Sequence, residues 1–191
     1  MKLSTLLESI TALDINCPQN SEVEGIAYDS RKVRPGFLFV AVSGHKVDGT
    51  QFITEALSKG AVAVVSENHL ELGSGVAHIQ VSCSRRALAE LAGAYFGDLS
   101  RKMKVVGVTG TNGKTTTSYM VRDILRAGGL RPGLLGTVAY EIGERVLPAS
   151  RTTPESLDIH AMLQQMKDVG CDSAVMEVSS HAIALHRVHG I

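Results

Sequence analysis

The strongest chemical signal in the 191-residue chain is the run Thr109-Gly110-Thr111-Asn112-Gly113-Lys114-Thr115-Thr116. Its glycines let backbone N–H groups turn inward toward phosphate oxygens. A helix starting at Lys114 would add unpaired N–H groups and the positive end of its dipole. Lys114 has the reach for the β- and γ-phosphates of ATP, and Thr115 is the hydroxyl placed for Mg²⁺. The general phosphate-loop pattern wants a glycine five positions before Gly113, where this chain has Val108, so only the shorter Gly-x-x-Gly-Lys-Thr core is present. The structural alternative is a glycine-rich turn before an ordinary helix. The apolar run Val105-Val106-Gly107-Val108 just ahead of the loop argues for strand, loop and helix in the functional order.

Glu177 closes the apolar run Ala174-Val175-Met176. An acid at a strand end is by itself more often solvated or capping a helix. If this strand neighbours the loop-bearing strand, however, the carboxylate reaches the sheet edge where ligands bind and can hold Mg²⁺. His181, His186 and His189 cluster late in the chain, but neither interval comes with an HExxH arrangement or cysteine ligands, so ordinary core or solvated histidines are expected. His45 lies in the polar loop Gly44-His45-Lys46-Val47-Asp48-Gly49, where it can meet a phosphate or sugar. Ser30-Arg31 reads on pattern alone as a turn, and Arg151-Thr152-Thr153-Pro154 as a helix start with Thr153 as cap.

The elements that must position these residues follow from periodicity and punctuation. Leu3, Leu6, Leu7 and Ile10 mark a first amphipathic helix; short strands are expected at 23–28 and 37–42, with a turn at Pro35-Gly36 between them. A helix at 51–59 stopped by Gly60, strands at 61–65 and 77–81, and a helix from Ser84 as cap through Phe96 complete a small mixed α/β domain. The polar stretch 98–104 reads as a linker, giving domains at 1–100 and 101–191. From there strand, loop, helix (114–127) and strand (133–135) alternate as in a parallel sheet with crossover helices. Residues 138–140 and 145–147 suggest a hairpin excursion, 155–169 a helix closed by Gly170, and 173–178 a last strand. An open parallel sheet of about three strands would leave a long apolar edge, so the second domain is expected to be an incomplete phosphate-loop domain.

Composition narrows the function classes. Nineteen Lys+Arg balance nineteen Asp+Glu, so there is no global positive field for nucleic acid or an anionic membrane, and an anionic ligand must be held locally. Cys17, Cys83 and Cys171 are odd in number and far apart, which argues against a disulfide framework or a thiolate metal site. No signal peptide or run long enough to span a bilayer is visible, and a cytoplasmic protein, by default a monomer, is expected.

These residues resemble a known family. Tyr28-Asp29-Ser30-Arg31, followed by Pro35-Gly36-Phe37-Leu38-Phe39-Val40-Ala41 and by Gly44-His45 with Asp48-Gly49, looks like the opening of Mur ligases that add the third residue or the terminal dipeptide to the cell-wall precursor. The run 108–116 is similar to the ATP loop of Mur ligases and folylpolyglutamate synthetases. Thr152-Thr153-Pro154 and Met176-Glu177-Val178-Ser179-Ser180-His181 resemble the tripeptide-forming type.

The resemblance implies a three-domain enzyme. This chain would hold the UDP-MurNAc-binding domain and the first part of the ATP-binding domain, with the amino-acid-binding domain outside it. It implies transfer of the ATP γ-phosphate to the D-glutamate side chain of UDP-MurNAc-L-Ala-D-Glu, then attack on the acyl phosphate by meso-diaminopimelate or L-lysine. Carried over by residue, Ser30, His45, Lys46 and Val47 would contact the UDP-sugar, and Thr152, Thr153, Ser179 and Arg187 the sugar-peptide. Gly110, Thr111, Asn112, Gly113, Lys114, Thr115 and Thr116 would hold ATP. Thr115 and Glu177 would hold Mg²⁺, with Lys114 and Glu177 catalytic. Alternatives are a folylpolyglutamate-synthetase-like ligase, a non-catalytic nucleotide-sugar-binding fragment and, more weakly, a phosphate-loop switch protein.

Overall fold

The structure, a computed structural model, describes residues 1–17, 21–44, 48–73 and 75–191. The chain divides into two compact units, Met1–Tyr95 and Phe96–Ile191, each with its own five-stranded sheet.

In the first unit the strands are β1 (Ala12–Asn16), β2 (Gly25–Ala27), β3 (Phe37–Val40), β4 (Ala63–Ser66) and β5 (Ala77–Val81), in sheet order β1-β5-β4-β3-β2. β2 to β5 run parallel, and β1 joins antiparallel to β5. Parallel strands covered on both faces read as continuous apolar runs rather than alternating ones. Accordingly Leu38 through Ala41 and Ala63 through Val65 are all buried.

The helices are α1 (Leu3–Leu7), α2 (Ile53–Ser58) and α3 (Ser84–Phe96). The expected helix at 51–59 begins as a 3₁₀ turn, Gly49–Phe52, capped by the Asp48 side chain accepting from Thr50 N. Ser84 is the first helical residue of α3 rather than its cap. Its N–H and hydroxyl both donate to Glu67 Oε1, at 2.8 and 2.7 Å, while its Oγ accepts from Ser43 N. Glu67 therefore does the capping from outside the helix. β1 was not anticipated: its apolar residues Leu13 and Ile15 are 64% and 48% exposed, so the alternation carries no buried face.

In the second unit β6 (Lys104–Val108) leads into α4 (Lys114–Ala127), then β7 (Pro132–Leu135), the hairpin β8 (Ala139–Ile142) and β9 (Arg145–Pro148), α5 (Ser156–Asp168), β10 (Ser173–Glu177) and α6 (Ser180–Ala184). The sheet order is β6-β10-β7-β8-β9. β6, β10 and β7 are parallel as expected. The hairpin is no excursion: β8 pairs antiparallel with β7 through Leu134↔Glu141 and Leu135↔Tyr140, so the sheet is mixed and five strands wide. Arg122 and Arg126 of α4 hold β8 from above, donating to the two oxygens of the buried Glu141 at 2.6 and 3.1 Å.

Leu99 and Met103, inside the stretch read as a linker, are buried in the core of this unit with Ile159, Leu163 and Met166. Among the described residues no helix is long and apolar enough to cross a membrane.

Candidate functional site

β6 and β10 are parallel neighbours in the register Glu177↔Val108, so the acid and the start of the glycine-rich loop leave the sheet side by side at its carboxyl edge. That edge is where open α/β sheets bind ligands. Gly113 caps α4 at φ +76°, ψ 0°, a left-handed conformation in which a Cβ is strained, and the chain turns there into the helix. One residue into the helix, Lys114 folds back over the loop, its Nζ donating to Gly110 O at 2.8 Å and to Thr111 O at 3.4 Å. Thr115 Oγ1 donates to Glu177 Oε2 at 3.1 Å.

Glu177 is 1% exposed, and a buried carboxylate needs its hydrogen bonds. Oε1 accepts from Thr137 N at 2.9 Å, and Oε2 accepts from Thr137 Oγ1 and Thr115 Oγ1, each at 3.1 Å. Gly136 leaves room for the group: a Cβ there would lie 2.6 Å from Oε1. The side chains surround an open cleft of about 340 Å³ lined by residues 111–116, Thr137, Thr152, Glu177 and Ser179.

The cleft's donor set suits Mg²⁺. It offers hard oxygens from one carboxylate and one hydroxyl beside a phosphate-type loop, and Mg²⁺ keeps waters and takes one or two carboxylates plus substrate phosphates. A cage made by protein alone is not what the fold offers, since no group of three or more His, Cys, Asp or Glu gathers among the described residues. His181, His186 and His189 are not gathered into such a group; the His186 and His189 rings meet edge to face with centroids 5.8 Å apart.

The sugar-peptide candidates divide. Thr152 and Ser179 line the cleft, Thr152 with its Oγ1 3.0 Å from Thr137 Oγ1. Ser179 also caps α6, its Oγ accepting from Ala182 N. Thr153 does not line the cleft: it is 1% exposed, its hydroxyl donates to Glu177 O at 2.8 Å and accepts from Ser179 N at 3.1 Å. Its hydroxyl ties the segment before α5 to the segment that follows β10. Nor does Thr153 cap α5, whose N-cap is Glu155. Arg187 is largely buried, with Nη1 donating to Thr153 O at 3.1 Å and Nη2 paired with Glu155 Oε1 at 2.9 Å.

In the first unit Ser30 is buried and its hydroxyl donates to Glu55 Oε2 at 2.6 Å. Lys59 Nζ bridges Ser30 O and Glu55 Oε1. The hydroxyl is thus engaged within the fold, and Arg31 beside it is held by Asp29. His45, Lys46 and Val47 lie outside the described residues. Gly136 and Thr137 escaped the sequence reading. The only local signal was a Gly-Thr pair directly after a strand, which is common in loops of no special role.

Residues 22–96 match the model for the Mur ligase family, catalytic domain, and residues 108–191 that for the Mur ligase middle domain. A curated relative from Alkaliphilus metalliredigens, named UDP-N-acetylmuramoyl-L-alanyl-D-glutamate--2,6-diaminopimelate ligase, is 44% identical over 98% of this chain and 38% of its own length. A solved structure of a protein of that name superposes with a TM-score of 0.79 at 26% identity, covering all of this chain and 39% of the other. A MurF ligase from Thermotoga maritima, in complex with ADP, gives a TM-score of 0.54 at 28% identity over 84% of this chain and 32% of its own. The chain spans about two fifths of the length of the curated relatives it matches. Two family models in tandem, relatives over essentially the whole chain and a phosphate-type loop facing a buried acid converge: the chain belongs to the Mur ligase family.

Proposed function

We propose that this chain carries the nucleotide-sugar-handling and phosphate-handling parts of an ATP-dependent ligase of MurE type, which joins a diamino acid to the D-glutamate side chain of UDP-MurNAc-L-Ala-D-Glu. The observation that carries the reading is the apposition of Thr115 and Glu177, 3.1 Å apart, at the mouth of the loop 110–116.

In this reading the loop amides and the N-terminus of α4 receive the phosphates of ATP, and Lys114 exchanges its loop carbonyls for β- and γ-phosphate oxygens. Thr115 and Glu177 would hold Mg²⁺, which when bound neutralises charge on the phosphate oxygens. Thr152 and Ser179 offer hydroxyls on the same cleft to the sugar-peptide. Thr153 and Arg187 keep those segments in place. The chemistry proposed is transfer of the γ-phosphate to the substrate carboxylate, followed by attack of an amine on the acyl phosphate. Such a reaction gains mainly from positioning and charge stabilisation. The name of the curated relatives makes 2,6-diaminopimelate the first amine to try, with L-lysine beside it. Ser30 and residues 45–47 are the proposed UDP-sugar region of the first unit.

Calorimetry of the chain with Mg²⁺·ATP and separately with UDP-MurNAc-L-Ala-D-Glu tests the reading, alongside a product assay with both amines. Binding of both ligands is expected. Selective binding of guanine nucleotides over ATP would sink the ligase reading.

A further inference from the structure

Thr137 belongs to no phosphate-loop or strand-end motif, yet it contacts both carboxylate oxygens of Glu177. Its N–H donates to Oε1 at 2.9 Å and its Oγ1 to Oε2 at 3.1 Å. A carboxylate gripped at both oxygens by one residue cannot rotate about its Cγ–Cδ bond without breaking one of the two bonds. A Cβ at Gly136, the residue before, would lie 2.6 Å from Oε1, so the glycine keeps that side of the carboxylate clear. Thr137 itself is exposed, which means that its hydroxyl is not needed to fill the core. The same Oγ1 lies 3.0 Å from Thr152 Oγ1; with its one proton directed to Oε2 it accepts there from the Thr152 hydroxyl, so the grip is steadied from the Arg151–Thr153 side of the cleft.

We propose that Thr137 is a positioning residue for Glu177: its hydroxyl fixes the rotation that keeps Oε2 beside Thr115 Oγ1, so that a divalent cation arriving with ATP meets both oxygens already aligned. This rests on the reading of Thr115 and Glu177 as the Mg²⁺ pair. Partners that orient a metal ligand without touching the metal commonly matter about 10- to 100-fold in metal affinity. Without the hydroxyl, Oε1 keeps the Thr137 N–H and Oε2 keeps Thr115, the group that must itself turn to the cation, so the orientation is lost at the moment the cation needs it.

The test uses Thr137→Val, which removes the hydroxyl and keeps the branched shape and the N–H, with Thr137→Ser as the variant that restores the hydroxyl. ATP affinity of the chain is measured at stepped free Mg²⁺ and in EDTA, with melting curves for each protein. The expected result is a loss of about tenfold in the Mg²⁺-dependent gain for Val. Recovery in Ser, equal affinities in EDTA and unchanged melting complete the expectation. If Val melts without cooperativity, Thr137→Ala takes its place against Ser.

A Val variant with wild-type Mg²⁺ dependence, while Glu177→Gln loses it, overturns the positioning role and leaves the metal pair standing. If Glu177→Gln also keeps the wild-type dependence, or the wild-type chain shows none, the pair itself is wrong and the role of Thr137 falls with it.

Discussion

Glu177 Oε2 and Thr115 Oγ1 lie 3.1 Å apart although 62 residues separate them in the chain. The parallel pairing of β10 with β6 brings them together by placing Glu177 opposite Val108, and the loop then returns Thr115 to the same edge. Replacing Glu177 by Gln keeps the size and removes the charge. An amide is a weaker ligand than a carboxylate for a hard cation, so the Mg²⁺ concentration for half-maximal ATP binding should rise about tenfold or more. Affinity for UDP-MurNAc-L-Ala-D-Glu should change much less, and a Mg²⁺ titration of each variant checks both.

Gly136→Ala should be disproportionately costly for so small a change. The added Cβ would come within 2.6 Å of Glu177 Oε1, and overpacking of this kind costs about 1–3 kcal/mol. Thermal melting should fall by several degrees, with Mg²⁺-dependent ATP binding weakened in parallel. A variant with wild-type melting and wild-type Mg²⁺ dependence would show that the carboxylate has room the geometry denies it.

Thr153→Val tests whether that residue organises the site or touches the ligand. Its hydroxyl joins Glu177 O to Ser179 N inside the fold, and leaving the Ser179 amide without its acceptor should cost about 1–3 kcal/mol. For a unit of this size about 1 kcal/mol corresponds to roughly 4–8 °C in Tm. A Tm equal to wild type with a large loss of sugar-peptide affinity would restore a direct contact.

Acid should weaken the second unit through His160. The ring is 1% exposed and neither nitrogen has a hydrogen-bond partner, and burial holds its pKa below the ordinary histidine value, with Asp98 opposing only in part. The unfolded chain therefore takes up a proton that the folded one resists. Stability is fully present above the unfolded value of about 6.5 and is lost as pH falls through it toward the lower folded value, by at most about 1.4 kcal/mol per pH unit. His78, buried in the first unit, has its pKa lowered mainly by burial and adds a loss of the same sign. Melting curves from pH 7.5 to 5.5 should show the decline, and His160→Leu should flatten part of it. An unchanged slope in that variant would assign the acid sensitivity elsewhere.

How much of this was legible in the sequence depended on how local the cause was. The stretch β6, loop and α4 was readable because an apolar run, a glycine-rich turn and a helix start are signals within about twenty residues of one another. Glu177 was readable only on the condition that its strand neighbours β6, a pairing that no local pattern encodes. The hairpin β8–β9 was seen as a hairpin, but its membership of the sheet depends on β7, and the Arg122–Glu141 pairing that braces it spans 19 residues between helix and strand. β1 was missed because Leu13 and Ile15 face outward. Thr152 and Thr153 looked equivalent in sequence, yet only Thr152 lines the cleft, whereas Thr153 turns into the protein. Thr137 had no signature at all, since its importance comes from what lies opposite it.

The central claim is that the loop at 110–116 and Glu177 form an ATP site, and titration of ATP into the wild-type chain and into Lys114→Ala, each in Mg²⁺, tests it most directly. Lys114 Nζ now rests 2.8 Å from Gly110 O, within the loop that would cradle the phosphates, and a charge-assisted contact to phosphate is worth about 1.5–3 kcal/mol. The account predicts saturable binding by the wild type and a loss of about 10- to 100-fold in Lys114→Ala, with melting unchanged. Equal ATP affinity in the two proteins, or no ATP binding by the wild type, would contradict it.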